Sequence, residues 1–169
     1  MNPVTRTRTA GAAYQAKLPT PFALLGIRTE GDVLADITLL PKSAGSLAPQ
    51  DRLAARACAQ IERYLEDCEF RFDLPIAPRG TPFQRRVWRQ ISAIDAGRTR
   101  SYGEIARELG SSPRAVGQAC GANPVPLVVP CHRVLAAGGL GGFAHHEDGF
   151  HIAVKRWLLA HEGSARAPQ

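Results

Sequence analysis

Two hydrophobic periods follow one another along the chain, a strand-like one in the first half and a helical one in the second. The apolar runs at residues 22–27 and 33–40 flank Thr29-Glu30-Gly31-Asp32, a hairpin turn signal, and predict an antiparallel strand pair. Leu53, Ala57, Ile61 and Leu65 then recur at every fourth position, which predicts a helix over 50–65. Phe70-Arg71-Phe72-Asp73-Leu74 alternates apolar with charged residues, the period of an edge or returning strand. Residues 16–75 therefore read as a small α+β module.

Pro75, Pro78, Gly80 and Pro82 interrupt any regular element and mark a linker. Beyond it the period becomes 3.6 residues. Thr81 is placed to cap a helix with Pro82 at its first position, with Phe83, Val87, Ile91 and Ile94 on one face and Arg85, Arg86 and Arg89 on the other. Ser101 and Glu104 have the spacing of a capping box opening a second helix, which Gly110 closes. Ser112 and Pro113 open a third, running to about residue 122. Two short helices joined by a tight glycine turn make a helix-turn-helix. The third helix, from Arg114 to Gly121, carries Gly117 and Gly121 four residues apart on one face. Each costs about 1 kcal/mol against alanine, so a face without side chains implies close approach by a backbone or a groove wall.

Composition narrows the class. With 169 residues, 44% apolar and 21% charged, the chain is long enough to bury its own core and is neither disordered, collagen-like nor a coiled coil. No apolar run is long enough to span a membrane, and residues 1–13, small, polar and basic, read as a mobile arm without the apolar stretch of a secretory signal. A cytoplasmic protein is expected. The net charge of +6 is unevenly placed: residues 1–78 balance nine Lys/Arg against nine Asp/Glu, whereas 79–169 hold twelve against six. A neutral half beside a basic half points to a polyanionic partner. Cys58, Cys68, Cys120 and Cys131 have no paired spacing and read as free thiols, and His145, His146 and His151 lack accompanying ligands, so no metal is expected.

The candidate chemistry lies in Pro130-Cys131-His132-Arg133-Val134, a cysteine fixed by a proline on one side and followed by a titratable base on the other. A cysteine in an apolar run is most often buried and inert. Here, however, the run resembles the signature of the O6-alkylguanine-DNA alkyltransferases, the methylated-DNA–protein-cysteine methyltransferases. Gly80-Thr81-Pro82-Phe83-Gln84, Ser101-Tyr102-Gly103, Arg114-Ala115-Val116-Gly117 and Asn123-Pro124-Val125-Pro126 are similar to that family's other landmarks in the same order, and residues 155–163 resemble its closing helix. The likeness is dense over 80–163 and one of layout alone over 1–79, where the family has a small RNase-H-like module.

The resemblance implies an α+β protein of two parts, 1–79 and 80–169, that flips an alkylated guanine out of double-stranded DNA and moves the alkyl group from O6 onto Cys131. O4-alkylthymine is a second implied substrate, and each molecule acts once, as a monomer without cofactor or obligate protein partner. By the same resemblance His132 takes the Cys131 proton through a water, Glu162 orients His132, Asn123 braces the cysteine loop and Tyr102 donates to the leaving guanine. Arg114 fills the gap left by the flipped base; Ser101, Ala115, Gly117, Gln118, Gly121 and Arg133 face the DNA; and Tyr102, Val134, Phe143 and Ala144 line the base pocket. These roles suit the chemistry, since dealkylation leaves a guanine anion and an extruded base leaves an unstacked gap. The chain departs from the family pattern in Phe143 for a tyrosine, Ala144 for a serine found in some members, and a longer, more polar segment over 145–151. Rival readings are a lesion binder without catalysis, in which Cys131 would be missing, a helix-turn-helix regulator, for which residues 115–121 offer few base-reading side chains, and a cysteine hydrolase, for which His132 is poorly placed.

Overall fold

The computed structural model describes residues 13–146 and 149–163; most of the expected N-terminal arm, and Glu147 and Asp148 of the polar segment, lie outside them. Three antiparallel strands, β1 (Ala16–Pro19), β2 (Leu24–Glu30) and β3 (Val33–Leu40), form a sheet in that order. Leu25 faces Leu39 and Ile27 faces Ile37, and the hairpin closes at Glu30–Val33 with Gly31 at a φ of 57°. Helix α1 (Arg52–Glu66) packs Ala54, Ala57, Cys58, Ile61 and Tyr64 against this sheet. Its first turn is capped by Asp51, whose carboxylate accepts the Ala54 N–H at 2.7 Å.

The strand expected over 70–74 is not formed. The alternation is real, with Phe70, Phe72 and Leu74 half-buried against the core, but the backbone at Asp73 is satisfied by side chains of α1 instead of a ladder. The Asp73 N–H donates to Gln60 Oε1 at 2.9 Å and its carbonyl accepts from Gln60 Nε2 at 3.0 Å and from Arg56. The free edge of β3 is taken farther on, where the Leu34 N–H donates to the Pro75 carbonyl at 2.7 Å. β1, only four residues long and without alternation, is an addition to the predicted pair.

The second part consists of α2 (Pro82–Ser92), β4 (Arg100–Ser101), α3 (Tyr102–Leu109), α4 (Pro113–Gly121), β5 (Val134–Leu135) and α5 (Gly149–His161). Both capping boxes form: Thr81 with Gln84 on α2, and Ser101 with Glu104 on α3. Gly110 ends α3 in the left-handed conformation, φ 61°, and Ser112 caps α4 through the Ala115 N–H at 3.1 Å. The Trp88 indole of α2 donates to the Ala119 carbonyl of α4 at 2.8 Å, fixing the helix pair on α2. Parallel pairing of β4 with β5 sets the start of α3 beside the chain leaving Cys131.

The two parts share one core. The Ile37 N–H of β3 donates to the Pro124 carbonyl at 2.9 Å, and the Phe22 and Trp157 rings meet at 4.8 Å. Among the described residues no helix is long and apolar enough to cross a membrane.

Candidate active site

A single turn of 3-10 helix, residues 131–133, carries the candidate nucleophile and base inside the protein, with Cys131 5% exposed and His132 fully enclosed. Asn123 holds the loop that leads to it. Its amide donates to the Val129 carbonyl at 2.8 Å and its carbonyl oxygen accepts the Val125 N–H at 3.0 Å, while the same side chain hydrogen-bonds the Cys131 thiol. Leu127 within this loop has a φ of 72°, a conformation that costs a non-glycine residue on the order of 1–2 kcal/mol and is held by the packing around it.

His132 Nε2 lies 2.8 Å from Glu162 Oε1. A carboxylate needs a donor there, so the neutral ring carries its proton on Nε2 and leaves Nδ1 as the acceptor. That Nδ1 is buried and has no hydrogen-bond partner among the described residues, as a base awaiting a proton requires. Burial holds His132 below its ordinary range, against the pull of Glu162, so the ring is neutral at neutral pH. Burial would raise the Glu162 carboxyl, but hydrogen bonds from His132 and Arg133 and their charges outweigh it and keep the group well below the usual carboxylate range. With His132 neutral, the charge that does this is Arg133's, whose NH2 and Nε reach the two carboxylate oxygens at 2.7 and 3.0 Å.

Burial also pushes the Cys131 thiol up, and the Asn123 hydrogen bond and the Lys155 charge only partly offset it. The resting residue is a thiol and needs its proton taken to become a nucleophile. Lys155, fully enclosed on α5, donates to the carbonyls of Val134 at 2.8 Å and Gly142 at 2.9 Å, and burial brings its pKa down to about 8.

Cys131 opens onto a cavity of about 260 Å³ between α3, α4 and the segment 142–146, lined among others by Tyr102, Arg114, Gly117, Phe143 and Ala144. Tyr102 extends from the first turn of α3 with its hydroxyl 3.4 Å from the Gly142 carbonyl, and burial pushes its phenol up, so it remains a proton donor. The far wall is a tight turn in which Phe143 and His146 exchange backbone hydrogen bonds at 2.8 and 2.9 Å. Its central residues, Ala144 and His145, have φ of 50° and 66°. A thiol, a phenolic donor and a guanidinium thus line a space open to solvent, and the buried base follows the thiol in the chain.

Comparison with known proteins shows the family. The family model described as the DNA-binding domain of 6-O-methylguanine DNA methyltransferase matches residues 82–164. A methylated-DNA–protein-cysteine methyltransferase of Mycobacterium bovis is 39% identical over 158 residues, 89% of this chain and 92% of the relative. The chain belongs to the methylated-DNA–protein-cysteine methyltransferase family. The crystal structure of the Mycobacterium tuberculosis O6-methylguanine methyltransferase matches with a TM-score of 0.72 and 36% identity, over 92% of this chain and 94% of that one. A Mycobacterium tuberculosis relative crystallised in complex with DNA matches at 0.70 and 36%, over 90% and 93%.

Most of the residues that the methyltransferase resemblance picks out converge on the cavity: Cys131, Tyr102, Phe143 and Ala144 line it, and Arg114, Gly117, Gln118 and Gly121 present α4 to it. Four behave otherwise. Arg133, expected to face DNA, turns inward to Glu162 and to the Ile94 carbonyl at 2.6 Å, because a buried carboxylate demands a cation. Val134, expected in the pocket, is wholly buried in β5 and is absent from the cavity lining. Ser101 uses its hydroxyl on the Glu104 N–H at 3.1 Å, and Ala115, half-buried, gives its N–H to Ser112. Gly121 differs from Gly117: a Cβ there would stand 2.3 Å from the His145 ring, whereas the space beside Gly117 is open. Sequence reasoning missed the role of Lys155, although a lysine in the apolar face of α5, between Val154 and Leu158, was a legible signal. It also missed Tyr64, whose hydroxyl donates to Glu162 Oε1 at 2.8 Å from 98 residues away.

Proposed function

We propose that this protein repairs O6-alkylguanine in double-stranded DNA by moving the alkyl group irreversibly onto Cys131, with O4-alkylthymine as a second substrate. The observation that carries the reading is the buried His132, tied at Nε2 to Glu162 and unpartnered at Nδ1, next in the chain to Cys131, which lines the cavity. In this reading His132 receives the Cys131 proton, the thiolate sulfur attacks the alkyl carbon, and the carbon–oxygen bond breaks with its electron pair left on guanine O6. Tyr102 supplies a proton or hydrogen bond to the departing guanine, and Arg114, exposed at the start of α4, fills the stack that the flipped base has left. The thioether is not cleaved again, so one molecule serves one lesion. Residues 80–169 then bind DNA and accept the alkyl group, and 1–79 form a supporting, reduced RNase-H-like module. The protein is taken to act as a cytoplasmic monomer without a cofactor.

Intact-protein mass spectrometry after incubation with a methylated duplex tests this. The expected result is one methyl-for-hydrogen replacement, mapped to Cys131 and lost in Cys131→Ser with DNA binding retained. Binding without any mass change in the wild type would leave a lesion binder or a regulator and refute the reading.

A further inference from the structure

The Glu162 carboxylate serves more donors than the reaction requires. Its Oε1 accepts from His132 Nε2 at 2.8 Å, from Arg133 NH2 at 2.7 Å and from the Tyr64 hydroxyl at 2.8 Å. His132 and Arg133 come from the cysteine turn itself. Tyr64 comes from the other side of the core, on the last turns of α1. Its ring is 1% exposed, lies 5.7 Å from the Phe72 ring and edges onto His161 at 5.3 Å, while His161 Nε2 stands 2.9 Å from the Tyr64 carbonyl. The ring has nowhere to swing, so the hydroxyl is aimed at Glu162 and stays there.

We propose that Tyr64 is a positioning residue for alkyl transfer, its hydroxyl fixing the Glu162 carboxylate and limiting how strongly that carboxylate pulls on His132. The inference deepens the reading of Cys131 as alkyl acceptor and rests on it. Burial beside Glu162 pushes the Tyr64 phenol up, so it remains a donor at every working pH. Donors that share one oxygen compete for its electron density. Taking the Tyr64 proton away concentrates charge on Oε1 and strengthens its bond to the His132 imidazolium, making His132 a stronger base in a less fixed orientation. The other groups facing the pair are Cys68 beyond α1, Arg133 and Cys131 of the turn, and Lys155 and His161 of α5. Neither substitution of Tyr64 below replaces any of them.

The test is the pH dependence of single-turnover methyl transfer from duplex DNA. Tyr64→Phe should lower the plateau rate a few-fold and move the acid limb up by about half to one pH unit, the size expected for loss of one hydrogen bond to the carboxylate. Replacing Tyr64 alone by 3-fluorotyrosine, which keeps the ring and makes the phenol a stronger donor, should move the limb down. DNA affinity should stay at the wild-type value in both. A lower rate or lower stability with an unmoved limb, or displacement of both limbs in one direction, would reduce Tyr64 to packing and overturn the inference. If Tyr64→Phe does not fold, the fluorotyrosine form decides alone. Glu162→Gln is run beside them: a wild-type rate for it at neutral pH overturns the relay itself, whereas a slow Glu162→Gln with an unmoved Tyr64 limb overturns only the role of Tyr64.

Discussion

Arg133 sits next to the base in sequence, yet it acts on the base through the carboxylate opposite. Its side chain is 12% exposed, that of Glu162 is not exposed at all, and two hydrogen bonds join them. Removing one partner of such a pair strands a buried charge, which costs about 3 to 5 kcal/mol. Arg133→Met should therefore lower the urea unfolding free energy by about that amount and also slow alkyl transfer, since the carboxylate would then take up a proton in place of holding His132. A loss under about 1 kcal/mol would mean that water screens the pair despite its burial. At this scale the sequence was most legible where residues stand beside one another along the chain, and the family resemblance added Glu162 from farther off. Cys131 and His132 stand side by side after a proline and their pattern draws the eye, whereas Asn123 was named through the family resemblance. Arg133, expected at the DNA through the resemblance, is turned to Glu162, a pairing that only the position of Glu162 across the core selects. Tyr64 left no signal, since its place on the apolar stripe of α1 is what any packing aromatic would occupy.

Helix α4 was legible to within a residue, because its capping serine, its first-turn proline and the glycine that precedes them are local signals. The failed strand at 70–74 marks the limit of local reasoning: its alternation places Phe70 and Phe72 correctly, but the side chains of Arg56 and Gln60 take the backbone groups a ladder would need. The same contrast separates the two glycines of α4. Gly121 is filled from within by His145, so its missing side chain serves the protein's own loop, while Gly117 faces open space at the cavity mouth. Nothing in the fold opposes a methyl group at Gly117, and alanine is favoured over glycine inside a helix by about 1 kcal/mol. Gly117→Ala should accordingly raise stability by up to about 1 kcal/mol while weakening binding to duplex DNA, as a stability measurement and a fluorescence-anisotropy titration on one preparation would show. Unchanged DNA affinity would remove the open face of α4 from the nucleic-acid interface.

Across the whole molecule, the strand hairpin and the run of capped helices were legible, but not that the Glu162 carboxylate is held by Tyr64 of α1 as well as by the cysteine turn. Because Tyr64, His132, Arg133 and Glu162 meet inside one core, the protonation of this cluster is coupled to folding. His132 is fully buried and held below its ordinary value of 6.5 by that burial, so below pH 6.5 the unfolded chain binds a proton that the folded chain refuses. Stability from this group is thus complete above pH 6.5 and declines as the pH falls from there, by at most about 1.4 kcal/mol per pH unit for one proton. Glu162, also held below its ordinary value of 4.5, adds a second loss only below pH 4.5, where the unfolded chain takes up a proton and the Arg133 pairing must be given up to follow it. Between these two values the decline belongs to His132. Urea midpoints of the wild type should fall on acidification from about pH 7 to about pH 5, and those of His132→Asn, less stable at the upper end, should fall less, so that the two curves converge. Parallel curves would mean that the folded protein holds His132 as an imidazolium already paired with Glu162, and that Cys131 gives its proton to another group.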